Sequence, residues 1–183
     1  MSISMSMYRY LSGAFLCAAA MAAALAASAG AQAVSALKGH NSKQPVDVEA
    51  DRIEVQDRQD RAVFSGNVHA KQGELAIDAA RLRVAYRNAA GQNLEILRID
   101  ADGSVQVRSP SERAQGDYGI YDLQKRIITL IGGVSLERGD TVVRGQRLVM
   151  DLNSGRSTLD GGAVGGSGGR VSGRFVVPQR SGN

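Results

Sequence analysis

Hydrophobic and polar residues alternate along most of the chain from Pro45 onward. Val46 and Val48 fall on one face of an extended segment, and Asp47 and Glu49 fall on the other. Comparable runs occupy residues 62–70, 75–77, 82–86, 105–107 and 147–152. A period of two residues predicts β-strands with one apolar face, and glycine or polar pairs separate the runs roughly every 8–12 residues. The pattern therefore predicts an all-β fold.

One segment also fits a helix. Residues 77–82 contain good helix formers and could make one or two helical turns. Val84 and Tyr86 continue the alternation directly afterwards. We therefore predict a strand here, with a short helix as the alternative.

The chain contains an internal repeat with an offset of 66 residues. Six identities mark it: Asp51/Asp117, Gly66/Gly132, Val68/Val134, Gly73/Gly139, Arg81/Arg147 and Leu82/Leu148. The apolar positions also keep their phase between the copies, and a slip of one residue would turn every side chain to the other face. The repeat predicts two structurally related halves, each with a glycine that serves close packing or a bulge.

The first 33 residues are typical of a cleaved signal peptide. Arg9 is the only charged residue before Lys38, an alanine-rich apolar run follows it, and small residues alternate over 27–33. We expect cleavage to leave a mature chain that begins between Gly30 and Val34. A retained membrane anchor is the alternative, but the run is short and weakly apolar. Lipidation at Cys17 is disfavoured because bulky side chains precede it.

Composition and charge exclude several functions. The net charge of +4 is spread along the chain, and aromatic residues make up only 4%, which disfavours nucleic-acid binding. His40 and His69 have no partners at metal-ligand spacing, so we expect no metal and no cofactor. Ser65, His69 and Asp78 do not by themselves indicate a triad, and we expect no enzyme. Without Cys17 the mature chain forms no disulfide.

The remaining chain divides by composition. Residues 34–44 form a short N-terminal segment, and 45–160 form the β domain. Residues 161–169 are a glycine-rich linker or loop, and 170–183 hold a last strand, over 170–177, and a C-terminal tail. The last strand could pair with its own sheet or with a neighbouring molecule.

Several short motifs stand out along the chain: 44–51 (QPVDVEAD), 64–68 (FSGNV), 72–73 (QG), 116–117 (GD), 121–123 (YDL), 128–134 (ITLIGGV) and the ending 170–178. In these segments the chain resembles the LptA/OstA-like family of lipopolysaccharide-transport proteins. The similarity spans residues 44–178. Two features depart from the family pattern: Gly133 replaces an asparagine, and a glycine-rich insert precedes the last strand.

The resemblance implies an open, slightly twisted antiparallel β-jellyroll of stacked short strands. It implies a periplasmic protein that binds lipopolysaccharide and shields its acyl chains on the way from the inner to the outer membrane. It also implies a head-to-tail homo-oligomer with LptC and LptD as partners. An envelope scaffolding β-protein without lipid carriage is the alternative, and a hydrolase on a β-solenoid is disfavoured because the carboxylates are scattered.

The expected lipid contacts lie on the apolar face of the strands. Val46, Val107, Tyr121 and Leu123 match family positions that contact lipid, although by chemistry alone each could be ordinary core. Six further inward-facing positions complete the predicted groove: Val48, Val55, Phe64, Val68, Leu130 and Val134.

Overall fold

The structure, a computed structural model, describes residues 37–89, 93–162 and 169–176. The predicted signal peptide, residues 1–33, lies outside the described residues, and so does most of the glycine-rich segment. Within the described part, no helix has the length and apolar character needed to cross a membrane.

Ten strands and one short 3₁₀ helix make up the fold. The strands are β1 (Asp47–Glu49), β2 (Arg52–Gln56), β3 (Arg61–Gln72), β4 (Leu75–Ala89), β5 (Asn93–Arg108), β6 (Glu112–Asp122), β7 (Ile127–Arg138), β8 (Thr141–Asp151), β9 (Arg156–Asp160) and β10 (Ser172–Arg174). The 3₁₀ helix, Asp57–Gln59, joins β2 to β3. Residues 77–82 belong to β4, which confirms the strand prediction there.

All ten strands form one antiparallel sheet with sequential neighbours. The order runs from β3 to β8 without a crossover. At one end, β1 and β2 pair with the two halves of β3, and at the other, β9 and β10 pair with the two halves of β8. The structure confirms the predicted open antiparallel β-jellyroll. The last strand is shorter than expected, since β10 covers only Ser172–Arg174.

The long strands bend where the pairing register shifts, and these shifts form a line across the sheet. The pairing register shifts between Ser65 and Val68 in β3, and every ladder from β3/β4 to β7/β8 has a shift at the same level. A β-bulge bends its strand and increases the local twist. Each long strand therefore consists of two shorter arms, which is why the sequence pattern indicates short strands.

The predicted repeat is visible at this bend. Gly66 and Gly132 have φ angles of 80° and 82°, a region that favours glycine. A Cβ atom at Gly66 would overlap the carboxylate of Asp51, and one at Gly132 would overlap the carboxylate of Asp117. These two bends, which we call corners, therefore have the same geometry. A third corner, at Gly103 and Ser104, has the same left-handed backbone. A buried valine follows each bend: Val68, Val105 and Val134.

The core fills the space between the two arms of the bent sheet. Its most buried side chains come from the middle strands and include Leu82, Ile99, Ile128, Leu130 and Leu148. The core therefore separates the β1–β2 end of the sheet from the β9–β10 end.

Candidate functional site

An apolar groove opens at the β1–β2 end of the sheet. It has a volume of about 390 Å³. Its wall is formed by Val46, Val48, Val55, Ala62, Phe64, Val84, Tyr86, Leu94 and Ile96, with Asp57, Asp60 and Asn88 as its polar members. The groove lies where β1 and β2 are the last strands of the stack, with no further described strand beside them on this side.

The ten residues predicted to contact lipid fall into two groups. Five line accessible space: Val46, Val48, Val55 and Phe64 in the groove, and Leu123 in an adjoining cavity. The other five are packed in the core: Val68, Val107, Tyr121, Leu130 and Val134. The second group is buried, and its contact with lipid stays a prediction.

The segment ahead of β1, residues 37–45, is called the strap here. It lies between the two side edges of the bent sheet, which are the two rows of turns that connect successive strands. On one edge it approaches the β3–β4 turn at Gly73 and Glu74 and the β5–β6 turn at Pro110. On the other edge, the Gly39 amide donates to the Leu152 carbonyl over 3.1 Å, and the Arg126 guanidinium donates to the His40 carbonyl. The strap therefore joins the two edges.

A buried polar cluster holds the strap in place. The Tyr121 hydroxyl lies 2.8 Å from Ser42 Oγ and 3.0 Å from Gln72 Oε1. The Gln72 amide donates to the carbonyl oxygens of Ser42 and Gln44, and a His40 ring nitrogen lies 3.0 Å from Gln72 Oε1. Burial raises the pKa of the Tyr121 hydroxyl. The hydroxyl is therefore a neutral hydrogen-bonding group that fixes the strap over the core.

A second cavity, which we call the mouth, lies where the strap meets the groove. It has a volume of about 780 Å³ and shares Val46, Leu94 and Ile96 with the groove. The rest of its wall comes from the strap (Asn41, Ser42, Lys43, Gln44, Pro45), from Glu95 and from Leu123, Gln124 and Arg126 beside the β6–β7 turn. The mouth thus links the apolar groove to a polar surface.

The other polar contacts of the sheet are cross-strand pairs. His69 Nδ1 lies 2.6 Å from Asp78 Oδ1, and Arg108 contacts the second oxygen of the same carboxylate. No hydrogen bond joins Ser65 to either member of this pair among the described residues. The part of the chain that the structure describes also holds no group of three residues that could bind a metal ion.

Sequence reasoning missed several residues of this site. Alternation does not single out Tyr86 or Ile96 as groove residues, and the composition of residues 34–44 indicates only a short N-terminal segment. One signal was available. Gln72 continues the inward phase of Val68 and Ala70, and a glutamine on the apolar face of a strand indicates a buried hydrogen-bond network.

Together, the bent open sheet and its end groove define a β-jellyroll with an accessible apolar interior. The family described as "LptA/(LptD N-terminal domain) LPS transport protein" matches residues 47–156. The chain belongs to this family of lipopolysaccharide-transport proteins.

Two individual proteins are similar to this chain. An uncharacterized protein of Rhizobium meliloti (strain 1021) is 34% identical over 160 residues, which cover 81% of this chain and 86% of the relative. The crystal structure of LptH, the LptA-homologous periplasmic component of the lipopolysaccharide-transport device of Pseudomonas aeruginosa, matches with a TM-score of 0.66. That match covers 75% of this chain and 99% of LptH at 18% identity, and it shows a shared fold.

Proposed function

We propose that this protein carries lipopolysaccharide through the periplasm and shields its acyl chains in the groove during passage from the inner to the outer membrane. The observation that carries the proposal is the accessible apolar wall at the β1–β2 end, formed by Val46, Val55, Phe64 and Ile96 among others. A folded protein normally covers such a wall, and an open one marks a site for an apolar ligand.

The energetics of acyl chains explain why a carrier needs this wall. Exposing a saturated chain of about 14 carbons to water costs on the order of 10 kcal/mol, at about 0.8 kcal/mol per methylene. Nine of the twelve groove residues are apolar or aromatic. An aliphatic wall gives the chain no strong directional bonds, so the lipid can move along it.

The strand edges at both ends of the stack support head-to-tail assembly. The outer edges of β1–β2 and of β9–β10 pair with no other described strand, and Val171, Phe175 and Val176 are exposed beside β10. Joining unlike ends builds an open filament, and each groove can then continue into the next molecule. LptC and LptD are the partners that we propose for the two ends of such a bridge.

Lipid binding is the direct test. We expect purified lipopolysaccharide to bind the protein, and Val55→Glu to weaken binding at least about ten-fold, because a charge in the groove must be desolvated by the acyl chain. Gln56→Glu is the matched control, since it adds the same charge to the neighbouring position on the opposite face of β2. A wild-type protein that binds no lipopolysaccharide would support the scaffolding alternative instead.

Photo-crosslinking maps the route of the lipid. We expect crosslinkers at Val46 and Leu123 to label lipopolysaccharide, and those at Asp47 and Asp122 to remain unlabelled. We also expect labelling from Val107 and Tyr121. Both side chains are buried in this structure, so their labelling requires the two arms of the sheet to separate during transport. Equal labelling from the inward and outward sets would contradict the groove.

Light scattering tests the assembly. We expect the intact protein to form larger species as its concentration rises, and removal of residues 170–183 to prevent this growth while far-UV circular dichroism stays β. Phe175→Glu with Val176→Glu should have the same effect in a chain of full length. Persistent growth in both variants would exclude this end as the contact.

A further inference from the structure

The polar side of the mouth is not explained by acyl-chain shielding. The strap and the β6–β7 turn bring Lys43 and Arg126 to the wall of one cavity, which Val46, Leu94 and Ile96 also line. We propose that Lys43 and Arg126 bind an anionic group, a phosphate or a carboxylate, in the headgroup of the lipid whose acyl chains occupy the groove. This inference rests on the proposed function and adds to it where the headgroup lies.

The charge balance of the mouth supports an anion. Glu95 is the carboxylate in its wall, and the Arg87 guanidinium already neutralises it over 2.7 Å. Lys43 and Arg126 form no ion pair with a described residue. The mouth therefore presents two cations without a counter-ion among the described residues, and a charge-assisted hydrogen bond to an anion is the strongest contact that they can make.

The charged residues in the wall of the groove are acidic, in contrast to the two cations of the mouth. These acidic residues are Asp57 and Asp60, and no lysine or arginine lines the groove among the residues that the structure describes. Among the described residues, the groove wall therefore offers an anionic headgroup only carboxylates, whereas the mouth offers it two cations. This arrangement orients an amphiphile, with its chains in the groove and its charged group at the strap.

Arg126 also has a positioning role. It donates one hydrogen bond to the His40 carbonyl, and its backbone φ of 59° places it in the left-handed region of the turn. The guanidinium has five N–H donors, so donors remain for a ligand after the strap is bound. Lys43 shows no such role among the described residues, where its one hydrogen bond comes from the backbone amide, which donates to Asn41 Oδ1 over 3.1 Å.

The test compares amphiphiles that share one chain and differ in the headgroup: tetradecyl phosphate, tetradecyl maltoside and, as the chain-free anion, inorganic phosphate. We expect Lys43→Gln with Arg126→Gln to weaken binding of tetradecyl phosphate about ten-fold or more and to change binding of the maltoside less than two-fold. The selective loss should shrink as sodium chloride rises from about 20 to about 500 mM.

Two variants control for folding and for general charge. Lys43→Gln alone leaves the strap contact of Arg126 intact and should give a smaller loss of the same selectivity. Lys71→Gln with Arg113→Gln removes the same charges from exposed positions outside the mouth and should change neither ligand.

The outcomes separate this inference from the proposed function. Binding of both amphiphiles without any effect of the two substitutions overturns the inference and leaves the carrier function standing. The inference is also overturned if the substitutions at Lys43 and Arg126 weaken the binding of both amphiphiles equally. Inorganic phosphate that binds as tightly as tetradecyl phosphate overturns the assignment to a lipid headgroup. A wild-type protein that binds neither amphiphile contradicts the carrier function and this inference together.

Discussion

The two copies of the internal repeat have the same corner geometry, but equivalent residues in them differ in burial. Val55 and Tyr121 occupy equivalent positions, as do Phe64 and Leu130. Val55 is 57% exposed and lines the groove, whereas Tyr121 is 2% exposed and Leu130 is fully buried. The corners of the two copies are alike, since Asp51 meets Gly66 as Asp117 meets Gly132.

The position in the stack explains the difference. β1 and β2 correspond to the two arms of β6. Among the described strands, β6 has a neighbour on each side, whereas β1 and β2 have one on the β3 side alone. Side-chain size adds to this effect, because Tyr121 fills space that Val55 leaves open. The same local fold thus makes a core in the middle of the sheet and a binding groove at its end.

The largest effects should come from exchanging the residue types at the equivalent positions Val55 and Tyr121. Tyr121→Val removes a buried ring and its hydroxyl, and we expect the free energy of unfolding to fall by about 4 kcal/mol. Val55→Tyr should change stability by less than about 1 kcal/mol and reduce lipid binding, since the added ring fills the groove. Urea denaturation and a binding titration measure both effects. Similar stability losses at the two positions would show that the groove is packed in solution.

The corners should respond equally in both copies. Gly66→Ala and Gly132→Ala each place a Cβ atom against an aspartate carboxylate at a left-handed φ. We expect each to cost about 2 kcal/mol or more in unfolding free energy. Gly139→Ala is the control, because its φ is 54° but nothing lies within 4 Å of the added atom, and it should cost about 1 kcal/mol. A large cost in only one copy would contradict the equivalence of the corners.

A smaller effect should come from the residue that follows each corner glycine. Asn67 and Gly133 have φ angles of 44° and 49°, and the Asn67 amide donates to Asp51 Oδ2 over 2.9 Å. Gly133→Asn restores the family residue and should stabilise the second copy by about 0.5 kcal/mol, since asparagine tolerates this conformation and restricts the unfolded chain. Thermal unfolding can measure the change, and a destabilised variant would exclude a matching bond to Asp117.

The smallest effect concerns a turn that is special to the second copy. Asp151, which corresponds to Ala85, accepts hydrogen bonds from the Ser154 hydroxyl and from the backbone N–H of Asn153, and these bonds lower the pKa of its carboxyl group. Its stabilising contribution is therefore present above the ordinary pKa of 3.8 and is lost as the pH falls through the lowered value.

Ser154→Ala should raise the pKa of Asp151 toward 3.8, as a pH titration of its carboxyl carbon by NMR would show. The stability difference between variant and wild type should be present at neutral pH and vanish in acid. An unchanged pKa of Asp151 would show that the hydroxyl does not hold the turn.

Alternation and repetition predicted the strands and the corners because both depend on local sequence. Alternation alone assigns Asp47 to the outer face of its strand and Val48 to the inner face. The repeat likewise predicts that the corner at Gly66 recurs at Gly132. Alternation assigns a face but not a place in the stack, so it could not distinguish the exposed Val55 from the buried Tyr121. The contacts of the strap were also hidden, because Ser42 and Tyr121 meet across a long stretch of chain and residues 37–45 have no periodic pattern.

The strap has a consequence for the order in which the molecule folds. Most strands of the sheet pair with the strand that precedes or follows them, so pairing can proceed hairpin by hairpin with short loop closures. Gly39, in contrast, bonds to Leu152, which lies beyond β8. The strap precedes every strand along the chain, yet its docking site is complete only after β8 has formed. The segment that is synthesised first among the described residues is therefore expected to reach its native place last.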